Sequence, residues 1–506
     1  MDISLKREDY KFLNKLMENT LEENVECDIS LPDYMPEILR VVKTTAMPKV
    51  SSCRLSGDRV TVDGVCELRM IYTAEDGGLY SYSHTQPFTK YCENEVFSEA
   101  IDVTSRASVS FVNCRATNNR RAEIKAGISV KVCVFGEECN EIISSAEAEG
   151  LEKKLVPLDA MSLGCRKTKH FSMSDTVSPK EGASYILSTQ ASAVCTDVRK
   201  INNKMMIKGE AIIRICYVKD KEKSETEIIK HSMPINQIVE FEGMEERFTG
   251  NVVLDVSSVD VITKGESTGE ITSFDVSLGV DVTVTMWDLK SLSVISDAYG
   301  VGTSLDLKRT SGKYYCAVNE IRDTAIAEDT FSLPADGIDC VLDCCGEIVS
   351  KSFKYDEGKA TIGGSINISM IVKDGNGSFN TLVKTLDYCY NLSIDTEDKT
   401  IVCDPSVSLL SLDCALASGG LSVRAELSVT GTVFEERVIE TVTEITESDV
   451  PNNRKRYAIT VYFPEKEESL WSIARRYNTT VCAIADENGL EGDTTEDLKI
   501  LFIPAV

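Results

Sequence analysis

Apolar and polar residues alternate along Arg59–Tyr72, where Val60, Val62, Cys66, Leu68 and Met70 share one face. A period of two predicts a half-buried β-strand. Gly64 sits near its middle. The same phrase returns at Lys204–Tyr217 around Gly209, and at Lys359–Ile371 around Gly363. These glycines lie 145 and 154 positions apart, the distance of a domain repeat rather than a solenoid period. Two further landmarks keep the same order. The strand pattern Ala122–Phe135 matches Phe274–Trp287 and Leu421–Phe434. Upstream, Ser30-Leu31-Pro32 with Ile38-Leu39 matches Ser178-Pro179 with Ile186-Leu187, and Ser332-Leu333-Pro334 with Val341-Leu342. The pattern predicts a mainly β chain with three copies of one domain. Short strands with regularly spaced turn signals make that domain β-sandwich-like.

The segments between these landmarks carry weaker patterns. Tyr10, Leu13, Leu16, Met17 and Leu21 fall at helical spacing among charged residues, so residues 1–24 are expected to hold an N-terminal helix. Pro36 suits the first turn of a brief helix, while Val41-Val42 suits a strand equally well. Hairpin turns are expected at Glu75–Gly78, Thr117–Asn119, Lys219–Glu225 and Lys373–Gly377. Residues 141–165, rich in Glu and Ala, read as a connector with some helix. The copies then run over 25–165, 166–308 and 309–447. Residues 448–456, with Pro451-Asn-Asn453, form a linker to a piece of different character at 457–506.

The chain has 506 residues, formal charge −27 and a pI near 4.7. That balance argues against a nucleic-acid or anionic-membrane surface, which needs basic patches. The first residues carry no apolar signal core, and no apolar run is long enough to span a bilayer, so no membrane segment is expected. The 18 cysteines form no Cys-x-x-Cys pair, and only His84, His170 and His231 accompany them. Even the tightest group, Cys340, Cys344 and Cys345, lacks zinc spacing. Cysteines such as Cys66 read as small hydrophobes, and no metal or cofactor is expected. Asp374, Asn376 and Ser378 begin like a calcium loop, but Phe379 and Thr385 occupy the positions that need Gly and Glu. No nucleophile elbow, phosphate loop or His-Glu-x-x-His motif occurs. Gly300-Val-Gly302 lacks the third glycine and the βαβ setting of a dinucleotide loop. The expectation is a protein without catalysis.

The C-terminal piece changes period. Tyr457–Tyr462 alternates as a strand. Leu470, Ile473, Ala474 and Tyr477 then line one helix face behind an N-cap at Ser469. Thr480 caps a second helix with Val481, Ile484 and Ala485, and Asn488-Gly489 stops it. Leu501–Pro504 returns as a strand, giving β-α-α-β. This resembles the LysM module, through Ser469-Leu-Trp-Ser-Ile-Ala-x-x-Tyr477, Thr479-Thr-Val481, Asn488-Gly-Leu490 and Ile503-Pro504. The resemblance implies binding of N-acetylglucosamine polymers between loops at about Glu467–Trp471 and Asn488–Glu491. It makes Glu468, Ser469, Leu470, Trp471, Asn488, Gly489 and Leu490 the candidate binding residues. Two departures stand out. Glu467-Glu468 and Ser469 replace the usual Gly-Asp and Thr, and Glu496–Lys499 replaces a Gly-Gln. Extra carboxylates suit a protein partner at least as well as a neutral sugar.

The repeated domain resembles the SPOCS domain of spore-forming bacteria, through Asp28-Ile-Ser-Leu-Pro-Asp33, Pro36-Glu-Ile-Leu-Arg40 and the Val-x-Gly strand around Gly64. Copies two and three lack the Pro-Glu-Ile-Leu-Arg phrase. Three SPOCS-like copies before a LysM module is the layout of SipL-type spore-coat morphogenetic proteins. That resemblance implies a non-enzymatic scaffold in the mother-cell cytoplasm at the forespore surface. Its LysM module would bind the ATPase of the coat's basement layer, and other coat proteins would join it. The alternative is a peptidoglycan-binding protein of wall or cortex.

Overall fold

Where a helix was expected, the chain forms strand β1 (Ser4–Ser30). The computed structural model describes residues 3–505 except 221–224, 243–247, 266–269, 335–336, 395–399, 419, 449–457, 466–467 and 491–498; within strands, the side chains of 13, 14, 163, 248 and 249 are also outside the description. After β1 come β2 (Arg40–Ser56), β3 (Arg59–Thr73) and β4 (Leu79–Glu93). A 3-10 turn (Glu95–Glu99) leads to β5 (Ala100–Asn118) and β6 (Arg121–Glu147). No brief helix forms at Pro36; Ile38 and Leu39 lie in the loop before β2.

One bulge explains the helical disguise of β1. It pairs antiparallel with β6, and the register slips between Lys6 and Arg7 and between Lys15 and Met17. At the first the extra residue, Ser144, is on β6; at the second it is Leu16 on β1, which moves the apolar face of β1 to the other parity. Tyr10 and Phe12 are buried on even positions, whereas Val25, Cys27 and Ile29 are buried on odd ones. Across Tyr10–Leu21 that one broken alternation looks like a period near three or four.

The same order returns twice, the second time with two strands in the place of one. Strands β7 (Leu151–Val177), β8 (Tyr185–Ile201), β9 (Lys204–Asp220), β10 (Glu225–Glu240), β11 (Phe248–Gly265) and β12 (Ile271–Gly300) form the second set. The third set is β13 (Leu305–Phe331), β14 (Cys340–Asp356), β15 (Lys359–Lys373), β16 (Phe379–Ser393), β17 (Thr400–Cys403), β18 (Ser406–Ala417) and β19 (Gly420–Glu447), with β17 and β18 as the two. Strands β1, β7 and β13 are each 27 residues long. Each set holds a meander (β2-β3-β4, β8-β9-β10, β14-β15-β16) and a second sheet on a long strand pair (β1-β6-β5, β7-β12-β11, β13-β19 with β17 and β18). One apolar cluster fills the space between the two sheets of each set. Residues 141–165 are therefore no helical connector. They are the end of β6, a turn at Ala148–Gly150, and the start of β7.

The bulges repeat as well. The extra residue on the later long strand is Ser144, Ser296 or Thr443. Its hydroxyl donates to the carbonyl of Lys6 (3.3 Å), Lys154 (3.2 Å) or Lys308 (3.3 Å) on the partner strand. The tight glycine also recurs. A Cβ on Gly64, Gly209 or Gly364 would run into the carbonyl of Lys49, Val194 or Ser350 on the neighbouring strand. In the third set the crowded glycine is Gly364; a Cβ on Gly363 would meet only an ordinary contact, 3.4 Å from the Tyr388 carbonyl. The true repeat is one residue off the spacing predicted from Gly363.

The three meanders meet in a closed ring. Ser81 Oγ donates to the Ile186 carbonyl (2.8 Å), Thr226 Oγ1 to Leu342 (3.3 Å) and Thr381 Oγ1 to Val42 (2.8 Å). The direction is one to two, two to three, three to one. Ile71, Leu79, Leu187, Cys216, Leu342, Ile371 and Phe379 fill the hub. This explains why β3 and β9 alternate at first and then bury both faces near Tyr72 and Tyr217. Buried charges cross the same seams. Arg214 meets Asp343 at 2.5 Å; Arg69 meets Glu67 at 2.7 Å and the Leu187 carbonyl at 3.3 Å. A second junction forms at the outer ends of the long strands. There Tyr10, Leu158, Val294 and Tyr314 pack together, then Ile143, Ile295 and Val442.

Candidate partner-binding module

The C-terminal piece folds in the order read from its pattern. Strand β20 (Ile459–Tyr462) precedes α1 (Leu470–Tyr477) and α2 (Val481–Asn488), and β21 (Leu501–Pro504) pairs antiparallel with β20. Ser469 Oγ caps α1 through the amide of Ser472, and Thr480 Oγ1 caps α2 through that of Ala483. Asn478 (φ 59°) and Gly489 (φ 64°) end the helices in the left-handed region. Leu470, Ile473, Ala474, Ile484, Leu501 and Ile503 form the core.

The candidate residues divide by role. Leu470 is fully buried in that core. Ser469 is spent on its cap. Asn488 ties α2 to β21: its Nδ2 donates to the carbonyls of Ile484 (2.8 Å) and Phe502 (2.6 Å), and its Oδ1 accepts from Phe502 N (2.8 Å). Glu468 accepts from Tyr462 Oη (2.7 Å) and pairs with Arg476 (2.7 Å). Burial opposes its ionisation, yet Tyr462, the Glu465 amide and Arg476 together hold its carboxyl below the usual range. Gly489 is exposed and Leu490 half-buried. Glu467, Glu491 and residues 496–498 of the expected loops lie outside the described residues.

Trp471 points back into the chain. Its Nε1 donates to Asp297 Oδ2 (2.9 Å), and its ring meets Tyr299 edge-on at 4.9 Å. Arg475 (2.8 Å) and Arg309 (2.6 Å) converge on the same carboxylate. Tyr299 Oη donates to the Thr479 carbonyl (2.8 Å), and Gly302 N to Asn478 Oδ1 (3.0 Å). Burial pushes the Tyr299 hydroxyl up, so it stays a donor. The module is thus seated on the end of β12 through the residue that sequence reasoning placed in its ligand site. Asp297 and Tyr299, some 170 to 180 positions away, carried no local signal.

What the module turns outward is its sheet. Ile459, Val461 and Phe463 are each more than half exposed, and Ile500 and Phe502 lie beside them, nearly half exposed. Val461 stands opposite Phe502 in the ladder. The sequence did carry this signal: Ile459, Val461 and Phe463 are apolar on the parity opposite to the core-facing Tyr462. A row of large apolar side chains on an uncovered face is the mark of a protein contact.

Elsewhere a polar cleft of about 490 Å³ opens between the first and second sets, lined by His170, Ser257, Asp281, Lys49 and Glu67 among others. It brings Ser, His and Asp together, but Asp281 (2.7 Å) and Ser257 (3.4 Å) both approach Nδ1 of His170. A relay needs them on opposite ring nitrogens, so these three do not form a nucleophile–base–acid line. No group of three or more metal-ligating side chains occurs among the described residues. No helix among them is long and apolar enough to cross a membrane.

Comparison with known families finds two matches. A family model described as SipL, SPOCS domain, matches residues 37–117 and 183–264. A LysM domain model matches residues 465–500. The third set of sheets repeats the topology of the matched segments without a match of its own. No curated protein and no solved structure matches the chain.

Proposed function

We propose that this chain, a SPOCS-domain protein with a C-terminal LysM domain, is a non-enzymatic scaffold of spore-coat assembly whose LysM domain grips a protein partner. Two matched SPOCS segments and a module of the peptidoglycan-binding type fit a sporulation-related adaptor. The observation that carries the choice of a protein ligand is the outward apolar sheet of Ile459, Val461, Phe463 and Phe502. A sugar chain asks instead for stacking rings and free hydrogen-bonding groups. Here Trp471 and the Asn488 amide are already engaged within the chain. By resemblance to SipL-type proteins, the partner is the ATPase of the coat's basement layer, met in the mother cell at the forespore surface. The three-copy body then fixes the module's direction, and its remaining surfaces serve other coat proteins.

Binding of the full chain to that ATPase and to purified peptidoglycan, titrated in parallel, tests this reading. The expected result is ATPase binding that Val461→Asp or Phe463→Asp weakens at least tenfold, roughly 1.4 kcal/mol. Retention on peptidoglycan alone would replace it with the wall-directed alternative.

A further inference from the structure

Lys43 is the hub cation without a carboxylate. Arg214 has Asp343 and Arg69 has Glu67, but among the described residues no carboxylate lies within ion-pair distance of Lys43. Its side chain is buried, at 7% exposure. Its Nζ donates to the Ser369 carbonyl at 3.1 Å and to Cys345 Sγ at 3.0 Å. Burying an ammonium is costly unless an anion accompanies it. Cys345 Sγ is the side-chain group in contact with it. Its thiol donates in turn to the same Ser369 carbonyl at 3.6 Å, so ammonium and thiol share one acceptor. The two residues stand 302 positions apart, Lys43 on β2 of the first set and Cys345 on β14 of the third. They lie on the seam that closes the ring.

We propose that Lys43 and Cys345 are a modification site, at which a peroxide forms a covalent sulfur–nitrogen link between the first and third copies.

The chemistry balances with one hydrogen peroxide. The thiolate attacks one peroxide oxygen; the S–O bond forms, the O–O bond breaks, and hydroxide leaves. That hydroxide takes a proton from the adjacent ammonium and becomes water. The freed amine attacks sulfur; the N–S bond forms, the S–O bond breaks, and the hydroxyl departs with an amine proton as a second water. The sulfur loses two electrons and the peroxide gains them. Thiolates are the reactive form of cysteine, and sulfenic acids condense with nitrogen nucleophiles. Cys345 is partly exposed, so a small oxidant such as hydrogen peroxide can approach it. The link would join the two copies that are not consecutive in the chain, where closing a long loop restricts the unfolded state most.

The test treats the full chain with hydrogen peroxide and maps tryptic peptides by mass. The expected product is a joined pair of peptides carrying Lys43 and Cys345, lighter by about 2 Da than their sum and separated by dithiothreitol. Exposed Cys139, Cys389 and Cys482 are internal references. Cys345 should be consumed roughly tenfold faster than they are. Lys43→Arg keeps the charge without a free amine, so it should preserve fast oxidation, trapped as a dimedone adduct, and abolish the link. Cys345→Ser should abolish both. Consumption no faster than that of Cys389, a disulfide of Cys345 with Cys344 or Cys414 instead, or a link that survives Lys43→Arg would each overturn the proposal. The rate comparison is made on the unmodified sequence and needs no variant to fold.

Discussion

Trp471 Nε1 donates to Asp297 Oδ2 at 2.9 Å, joining the LysM helix to the end of a strand in the second copy. Arg475 and Arg309 share that carboxylate, so Asp297 is the acceptor on which the seating depends. Asp297→Ala should release the module while the sheets stay folded. A hydrogen bond to a charged acceptor contributes about 1.5–3 kcal/mol, and the half-exposed Arg475 adds less. In a Trp287→Phe background, Trp471 is the only tryptophan, and its emission should move to the red with unchanged far-ultraviolet dichroism. Unchanged emission would show that the module is held by Tyr299 and Asn478 instead.

The Arg214–Asp343 pair is buried on both sides, at 8% and 2% exposure. Removing one partner leaves a charge stranded in the hub, so Asp343→Ala should cost about 3–5 kcal/mol. The double change Arg214→Met with Asp343→Leu should recover most of that loss, because neither charge then needs a countercharge. Urea midpoints of the three proteins decide it. Equal losses for the single and double variants would mean that the hydroxyl bonds of Ser81, Thr226 and Thr381, not this pair, hold the seams.

Adjacent glycines give a sharper test of the repeat frame. At Gly364 a Cβ would collide with the Ser350 carbonyl, which is backbone and cannot swing away. Neither Gly363 nor Gly364 has a positive φ, so the difference is one of space alone. Gly364→Ala should destabilise by about 1–3 kcal/mol, and Gly363→Ala by about 0.5 kcal/mol or less. The midpoints of thermal unfolding should separate the two.

Strand chemistry was legible wherever alternation ran unbroken. The phrases around Gly64 and Gly209, the turn at Gly77 and the caps at Ser469 and Thr480 all sit as their residues imply. Long strands with bulges were not legible. The extra residue Leu16 in β1 resets the parity that period-two reasoning relies on, and the Glu- and Ala-rich end of β6 is paired along its length by β1. Tertiary pairing there overrides local preference. The seating of Trp471 was beyond reach for another reason. An aromatic residue at a helix start reads the same whether it meets a ligand or Asp297, and only the distant strand decides.

Acid should act on β1 through Glu18. Lys131 and Lys15 donate to its carboxylate, Lys15 at 2.7 Å, and lower its pKa from 4.5 to about 2, against a small opposing effect of burial. A carboxyl depressed in the folded state contributes stability that is fully present above its unfolded value. That contribution is lost as pH falls from about 4.5 through about 2. The side chain is more than a third exposed, so solvent screening keeps the effect small. The wild-type chain and Glu18→Gln should therefore differ in urea midpoint at pH 6 and converge as the pH approaches 2. The difference at pH 6 should also shrink in 1 M salt, where the screening length is about 3 Å. A gap that persists unchanged to low pH would mean that Glu18 supports β1 by packing over Lys131 rather than by its charge.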